Sequence, residues 1–394
     1  MKLVVITSRF PYPLEKGDKL RLYHQIKELS KNHQITLIAL SEHFVPFEHI
    51  KHLQYFCANI HILRLRKWHI LFNLIRGFLI RMPLQVSYFY APYLKKTIQN
   101  FIQSAQPDHV YCQLIRMAPY VSDLNNPKTL DFQDAFSAGM RRRTQQSPFW
   151  LKWFFQLETK RLQNYEQAVF EKFTHCTIIS QQDQAALQIP NKEQITIVPN
   201  GVDINFFQPN ISTARSYDLV FVGNMGYHPN VEAVKFLVHE ILPIIKIHLP
   251  NVKLLIAGAR PTAAVKNLAS ENVYISGWVG NILTAYQSAK LFIAPLFLGS
   301  GQQNKILEAM ACGLPCITTP QVNNAIHASV NETIFIAEKA EEFATLAVNL
   351  LNDNVLRERI GEQARQFVEQ RFGWQSATAI LERLFNNSTD LQSV

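Results

Sequence analysis

The chain has 394 residues, 47% of them hydrophobic and 18% charged, with a formal charge of +9. At roughly 150 residues per domain this is room for two or three domains, and the composition excludes a disordered chain. The charge is lopsided. Residues 1–200 hold 25 Lys and Arg less 14 Asp and Glu, a balance of +11, and residues 201–394 hold 14 less 16, a balance of −2. An acidic partner, whether membrane surface, nucleic acid or charged substrate, therefore belongs to the first half.

In chain order, Leu3–Thr7 reads as a buried strand. Its apolar run, Leu3 to Ile6, ends before Arg9 and Pro11 and is too short for a signal peptide. A loop, Phe10-Pro-Tyr-Pro-Leu-Glu-Lys-Gly-Asp-Lys-Leu-Arg21, leads into a helix from about Asp18 to Lys31, with Leu22, Ile26 and Leu29 on one face. Asp18 has the chemistry of an N-cap there. Ile35–Ala39 is the next strand. The segment Trp68–Arg81 is apolar, interrupted by Arg76 and preceded by Arg64, Arg66 and Lys67. It suits either a domain helix or one lying in a membrane interface. No stretch reaches the roughly 18 apolar residues of a membrane span. Val110–Cys112, Thr129–Asp131 and Cys176–Ile179 read as strands, and Trp150–Lys172 as a long helix.

The second half alternates more plainly. Strands are expected at Leu219–Gly223, Lys253–Ala257, Val273–Ser276, Leu291–Pro295, Pro315–Thr318 and Thr333–Ile336. Helices are expected at Val231–His248, Thr262–Ala269, Ile282–Ala289 and Gln303–Cys312. Strands this apolar are buried on both faces, which implies parallel sheets covered by helices, a doubly wound α/β arrangement. Turn formers Pro199, Asn200 and Gly201 mark a reversal. The expected organisation is a domain at 1–199, a second at 200–372 and a C-terminal helix at 373–394 packing back on the first. Five cysteines without Cys-x-x-Cys spacing read as free thiols of a reducing compartment.

The segment richest in chemistry runs from Ala294 to Thr319. A strand gives way to Gly299-Ser300-Gly301 and then to a helix whose first N–H groups lack internal partners, an anion site by construction. Lys305 and Glu308 are three apart on one helix face. A cation at the helix start suits a diphosphate, and a carboxylate one turn deeper suits the two hydroxyls of a ribose. Glu308-Ala-Met-Ala-Cys-Gly-Leu-Pro-Cys-Ile317 resembles the second half of the nucleotide-sugar motif of glycosyltransferase family 4, retaining enzymes of the GT-B fold.

That resemblance implies two doubly wound Rossmann-like domains facing across a cleft, with a nucleotide-diphosphate sugar as co-substrate in the second. It implies that Glu308 binds the ribose and Lys305 the diphosphate. Ser300 stands where the family motif has its first Glu, and a family variant, Gly-x-Gly-x-x-x-Lys-x-Leu-Glu-Ala-Met-Ala, would set Ser300, Gly301 and Gln302 toward the sugar. Leu219–Ala233 resembles the strand and glycine turn that faces the diphosphate, with Gly223 and Asn224 as contacts. Ile275–Gly280 resembles the loop that meets the nucleobase, bringing in Trp278 and Val279. In the first domain the glycine-bearing loop implies an acceptor and phosphate site at Gly17, Asp18 and Arg21. Leu130–Ser137 places Asp131 and Asp134 at a strand end, where either could orient the acceptor hydroxyl or stabilise charge on the sugar. Arg141–Arg143 is a solvated face or a binder of acidic acceptors. No Asp-x-Asp occurs, so no bound metal and no separate cofactor is expected.

The reading is a metal-independent retaining hexosyltransferase of cell-surface polysaccharide or lipopolysaccharide biosynthesis, cytoplasmic and peripheral to an anionic membrane, with a glycan or lipid-linked acceptor. Its rivals are a nucleotide-sugar-binding protein without turnover and a basic nucleic-acid-binding protein. The latter lacks any recognition-helix or aromatic RNA signature, and a nicotinamide enzyme lacks its Gly-x-Gly-x-x-Gly.

Overall fold

The computed structural model describes residues 1–14, 16–210, 215–298 and 302–390, apart from the side chains of 146 and 388–390. The chain forms two units. Unit 1 is Met1–Pro199 with the C-terminal helix from Ala377, and unit 2 is Asn200–Ser376.

Unit 1 holds β1 (Lys2–Thr7), β2 (Gln34–Ser41), β3 (Asn59–Arg64), β4 (His109–Gln113), β5 (Lys128–Asp131), β6 (His175–Ile178) and β7 (Thr196–Ile197). They form one sheet in the order β3-β2-β1-β4-β5-β6-β7, parallel throughout. Unit 2 holds β8 (Tyr217–Val222), β9 (Leu254–Ala257), β10 (Val273–Gly277), β11 (Ala289–Ala294), β12 (Cys316–Thr318) and β13 (Phe335–Ile336). Their order is β10-β9-β8-β11-β12-β13, again parallel. Both sheets are doubly wound, and their order reverses between β1 and β4 and between β8 and β11. Ligand crevices of this architecture open at the carboxyl ends of strands flanking such a reversal.

Burial on both faces explains the apolar runs. Within β1, Leu3 and Val5 join a core with Leu22 and Ile26, whereas Val4 and Ile6 join the opposite core with Ile98 and Ile102. The helix Trp374–Asp390 closes the first of these cores with Leu381 and Phe385. The Phe385 ring lies 4.6 Å from His109 and 5.7 Å from Tyr111. Glu382 on the same helix accepts a 2.8 Å hydrogen bond from Asn32 and lies 2.9 Å from His33.

Most element bounds differ from the expected ones by a few residues. Two strands went unread. β3 is an edge strand with a half-exposed pattern, and β7 has only two residues, so neither carries a strong apolar signal. The expected helix Val231–His248 is instead His228–Phe236, a π-turn at Leu237–Ile241, and Leu242–His248. Pro243 has no N–H to close the next α-turn, and the ladder adjusts around it. All five cysteines are buried free thiols. Among the described residues no helix is long and apolar enough to cross a membrane.

Candidate functional site

In unit 2 the reversal lies between β8 and β11. After β8 the chain turns through Gly223, Asn224 and Gly226 into the helix His228–Phe236; after β11 it reaches the helix Asn304–Ala311. The two turns of β8 and β9 meet backbone to backbone. Gly258 sits at φ +143°, and a Cβ there would fall 1.7 Å from the Gly223 carbonyl oxygen. A Cβ on Gly223 would fall 2.7 Å from Asn230 Nδ2 and 3.4 Å from Lys305 Cε. Only glycine admits this closeness.

Asn230 locks the turn to the helix. Its Nδ2 donates to the Asn224 carbonyl at 2.9 Å, and its Oδ1 accepts from Lys305 Nζ at 2.9 Å. Gln303 Oε1 accepts from the same ammonium at 3.2 Å. Burial lowers Lys305 to about 8, with Glu308 opposing the shift. One turn along, Tyr286 donates to Glu308 Oε2 at 2.7 Å. Burial pushes the Glu308 carboxyl up against the pull of that hydrogen bond and of Lys305. A held cation at a helix start beside a glycine turn can bind an anionic diphosphate. A half-buried carboxylate beyond it can accept hydrogen bonds from hydroxyls.

The other expected donor contacts divide. Asn224 is exposed at the turn, and its Oδ1 accepts from the Gly226 N–H at 2.9 Å. Trp278 is 74% exposed after β10, open for a flat ring to stack on; Val279 beside it is half-buried. Gln302 is committed elsewhere: its Nε2 donates to the Asn200 carbonyl at 2.7 Å and its Oε1 accepts from the Asn200 N–H at 3.0 Å. Ser300 and Gly301 lie outside the described residues. Sequence reading missed Asn230, Tyr286 and Arg260. Arg260 is an exposed cation after β9, its Cβ 3.4 Å from where a Gly226 Cβ would be. The signal for Asn230 was its place six residues past the turn; Tyr286 reads as ordinary core.

In unit 1 the expected pair of site residues is a fixed internal ion pair. Arg21 Nε donates to Asp131 Oδ2 at 2.7 Å and its second nitrogen to Oδ1 at 3.3 Å, both side chains being 0% exposed. Tyr111 and Thr177 also donate to Asp131, each at 3.0 Å. Burial acts against the Arg21 charge, and Asp131, with Tyr111 and Asp134, outweighs it, so the Arg21 pKa rises. Arg21 reaches further to the Pro199 carbonyl at 3.2 Å. Neither side chain presents a surface to a ligand, which corrects Arg21 as a phosphate contact and Asp131 as a catalytic group.

Asp134, three residues on, keeps a solvent-accessible surface. Protein packed around its carboxyl, together with Asp183, raises it to about 6. Asp18 is no N-cap: Lys16 holds that position, and Asp18 Oδ2 accepts from Arg9 at 2.7 Å. A Cβ on Gly17 would meet nothing within 4 Å. Arg116, after β4, lies 5.1 Å over Phe89, the ring that Arg9 covers at 5.5 Å. Burial lowers it to about 10. It is a second cation at the unit 1 reversal that sequence reading missed. Arg141–Arg143 are exposed.

Residues 216–353 match the family model described as "Glycosyl transferases group 1". The capsular polysaccharide biosynthesis glycosyltransferase CapM of Staphylococcus aureus is 30% identical over 242 residues, 56% of this chain and 60% of that relative. The chain thus spans less than two thirds of CapM. An uncharacterized 44.6 kDa protein in the cps region of Klebsiella pneumoniae is 21% identical over 392 residues, 94% of this chain and 96% of its own. Anabaena HepE, solved in complex with UDP and glucose, superposes with a TM-score of 0.68 at 15% identity, covering 98% of this chain and 99% of its own. The chain has the GT-B fold, and the unit that carries Lys305 and Glu308 is the one that matches group 1 glycosyl transferases.

Proposed function

We propose that this protein is a retaining, metal-independent glycosyltransferase acting in cell-surface polysaccharide biosynthesis. It transfers a hexosyl group from a nucleotide-diphosphate sugar held by unit 2 to a glycan or lipid-linked acceptor held by unit 1. The observation that carries this reading is the Gly223–Asn230–Lys305–Glu308 constellation at the unit 2 reversal, inside the stretch that matches group 1 glycosyl transferases. The names of CapM and the ligands of HepE support it.

In the step proposed, the bond between the sugar's anomeric carbon and the phosphate oxygen breaks, and its electron pair leaves with the diphosphate. The acceptor oxygen bonds to the same carbon, on the same face, and passes its proton to the Asp134 carboxylate. Charge grows on the departing diphosphate, so Lys305 contributes most there. Glu308 holds the ribose hydroxyls, and Trp278 and Val279 border the base. On unit 1, Gly17 leaves open space for the acceptor, and Asp134 orients its hydroxyl; a carboxyl near 6 is ionised at neutral pH and can take up a proton. Asp131 and Arg21 position this strand end.

A thermal-shift screen against UDP, GDP, ADP and CDP, with and without EDTA, tests the reading. One nucleotide should raise the melting temperature, unchanged by EDTA, because a ligand that binds only the folded state stabilises it. No shift with any of them overturns the reading.

A further inference from the structure

We propose that unit 1 docks on an anionic lipid surface through two helices, Lys67–Leu79 and the first turns of Phe149–Phe170. The first of these is amphipathic the wrong way round for a water-facing helix. Its inward face is Ile70, Asn73 and Gly77. Its outward face, at helical spacing, is Trp68, Leu71, Phe72, Ile75, Phe78 and Leu79, from 44% to 84% exposed. A surface helix in water shows the opposite arrangement. The orientation is fixed rather than a matter of rotation: a Cβ on Gly77 would fall 1.9 Å from Ser87 Oγ, so this face must stay against its neighbour.

The second helix repeats the pattern. Phe149, Trp150 and Trp153 are 85%, 60% and 62% exposed. The two helices adjoin. Arg161 donates to the Phe78 carbonyl at 3.1 Å and lies 4.7 Å over the Phe78 ring, and the Leu84 N–H donates to Glu158. A groove of about 680 Å³ runs between Ile80–Pro83 and Leu157–Ala168. The result is one aromatic-rich apolar surface far beyond scattered exposed residues.

Its charge selects the occupant. Residues 64–81 contain Arg64, Arg66, Lys67, Arg76 and Arg81 and no Asp or Glu. Lys152 and Lys160 stand exposed on the second helix, where Glu158 is buried. A second copy of the chain would bring the same positive surface against itself in a two-fold contact. Anionic headgroups complement the cations, and the tryptophans suit the boundary between headgroup and acyl chain. The inference is independent of the donor site and says where the proposed reaction would take place.

Co-sedimentation of the full chain with vesicles tests it, comparing phosphatidylcholine alone with phosphatidylcholine containing about 30% phosphatidylglycerol. The protein should bind the anionic vesicles and leave the neutral ones. The triple variant Arg64→Ser, Arg66→Ser, Lys67→Ser should bind on the order of a hundredfold more weakly. Trp68→Gln with Trp153→Gln should bind at least about tenfold more weakly. Both variants change exposed residues, and an unaltered melting temperature verifies their folding. No binding to anionic vesicles, equal binding to both kinds, or unchanged binding by the variants overturns the proposal. So does a dimer in sedimentation velocity that Trp153→Gln dissociates while vesicle binding persists. The nucleotide thermal shift is read separately, so the two proposals fail separately.

Discussion

Asp131→Ala is the sharpest test of how unit 1 is built. In the folded chain the Asp131 carboxylate is fully buried, held by two of the three Arg21 guanidinium nitrogens, Tyr111 and Thr177. Removing it leaves a guanidinium with no exposure and no carboxylate bonded to it, a change that costs about 3–5 kcal/mol. Global stabilities of about 5–15 kcal/mol make this a large fraction. Hydrogen-exchange mass spectrometry on peptides of β4 and β5 reads the loss directly, without assuming that both units unfold together. The double variant Arg21→Met, Asp131→Ala removes both charges and should recover at least about half of it, since an ion pair deleted whole is far less costly than one broken. A single variant that loses less than about 1 kcal/mol of protection while abolishing sugar transfer would refute the reasoning and return Asp131 to the chemistry.

The remaining predictions concern charge and packing. Lys305 sits near 8 before any ligand arrives, and a diphosphate binds its charged form. Nucleoside diphosphate affinity should therefore be highest below pH 8 and fall as pH rises through it; Lys305→Gln should weaken binding by about 1.5–3 kcal/mol and flatten that profile in calorimetric titrations. Burial, with His175 and His33 adding repulsion, lowers His109 to about 3 against an ordinary value of 6.5. The fold holds it neutral, so its contribution is complete above about 6.5 and is lost as pH falls toward 3, on the order of 5 kcal/mol in all. His109→Gln should flatten the acid limb of stability measured by urea unfolding. Gly258→Ala would drive a Cβ into the Gly223 carbonyl at a φ of +143°; a melting-temperature loss equivalent to at least about 2 kcal/mol is expected, with loss of nucleotide binding.

Much of this was legible in the residues. Parallel strands buried on both faces leave unbroken apolar runs, which is why β1, β8 and β11 stand out. Lys305 and Glu308 could be paired because helix periodicity fixes what lies three residues apart. The failures are those of long-range pairing. Arg21 and Asp131 are 110 residues apart and meet only because β1 and β5 flank the same strand, β4. Each alone looks like a polar residue in a functional loop. The clamp of the Gln302 amide on Asn200, 102 residues away, is equally invisible along the chain. Trp150 and Trp153 carry the periodicity of a core helix, and no pattern within the sequence says which face of an apolar helix is left uncovered.

The most direct test of the central claim is release of nucleoside diphosphate from the matching nucleotide sugar, with Glu308→Ala beside the native protein. The account predicts measurable release by the native chain, independent of EDTA, and loss of most of it in Glu308→Ala with the fold intact. Nucleotide binding without release from any nucleotide sugar would contradict it, and would make this chain a nucleotide-sugar-binding protein rather than a transferase.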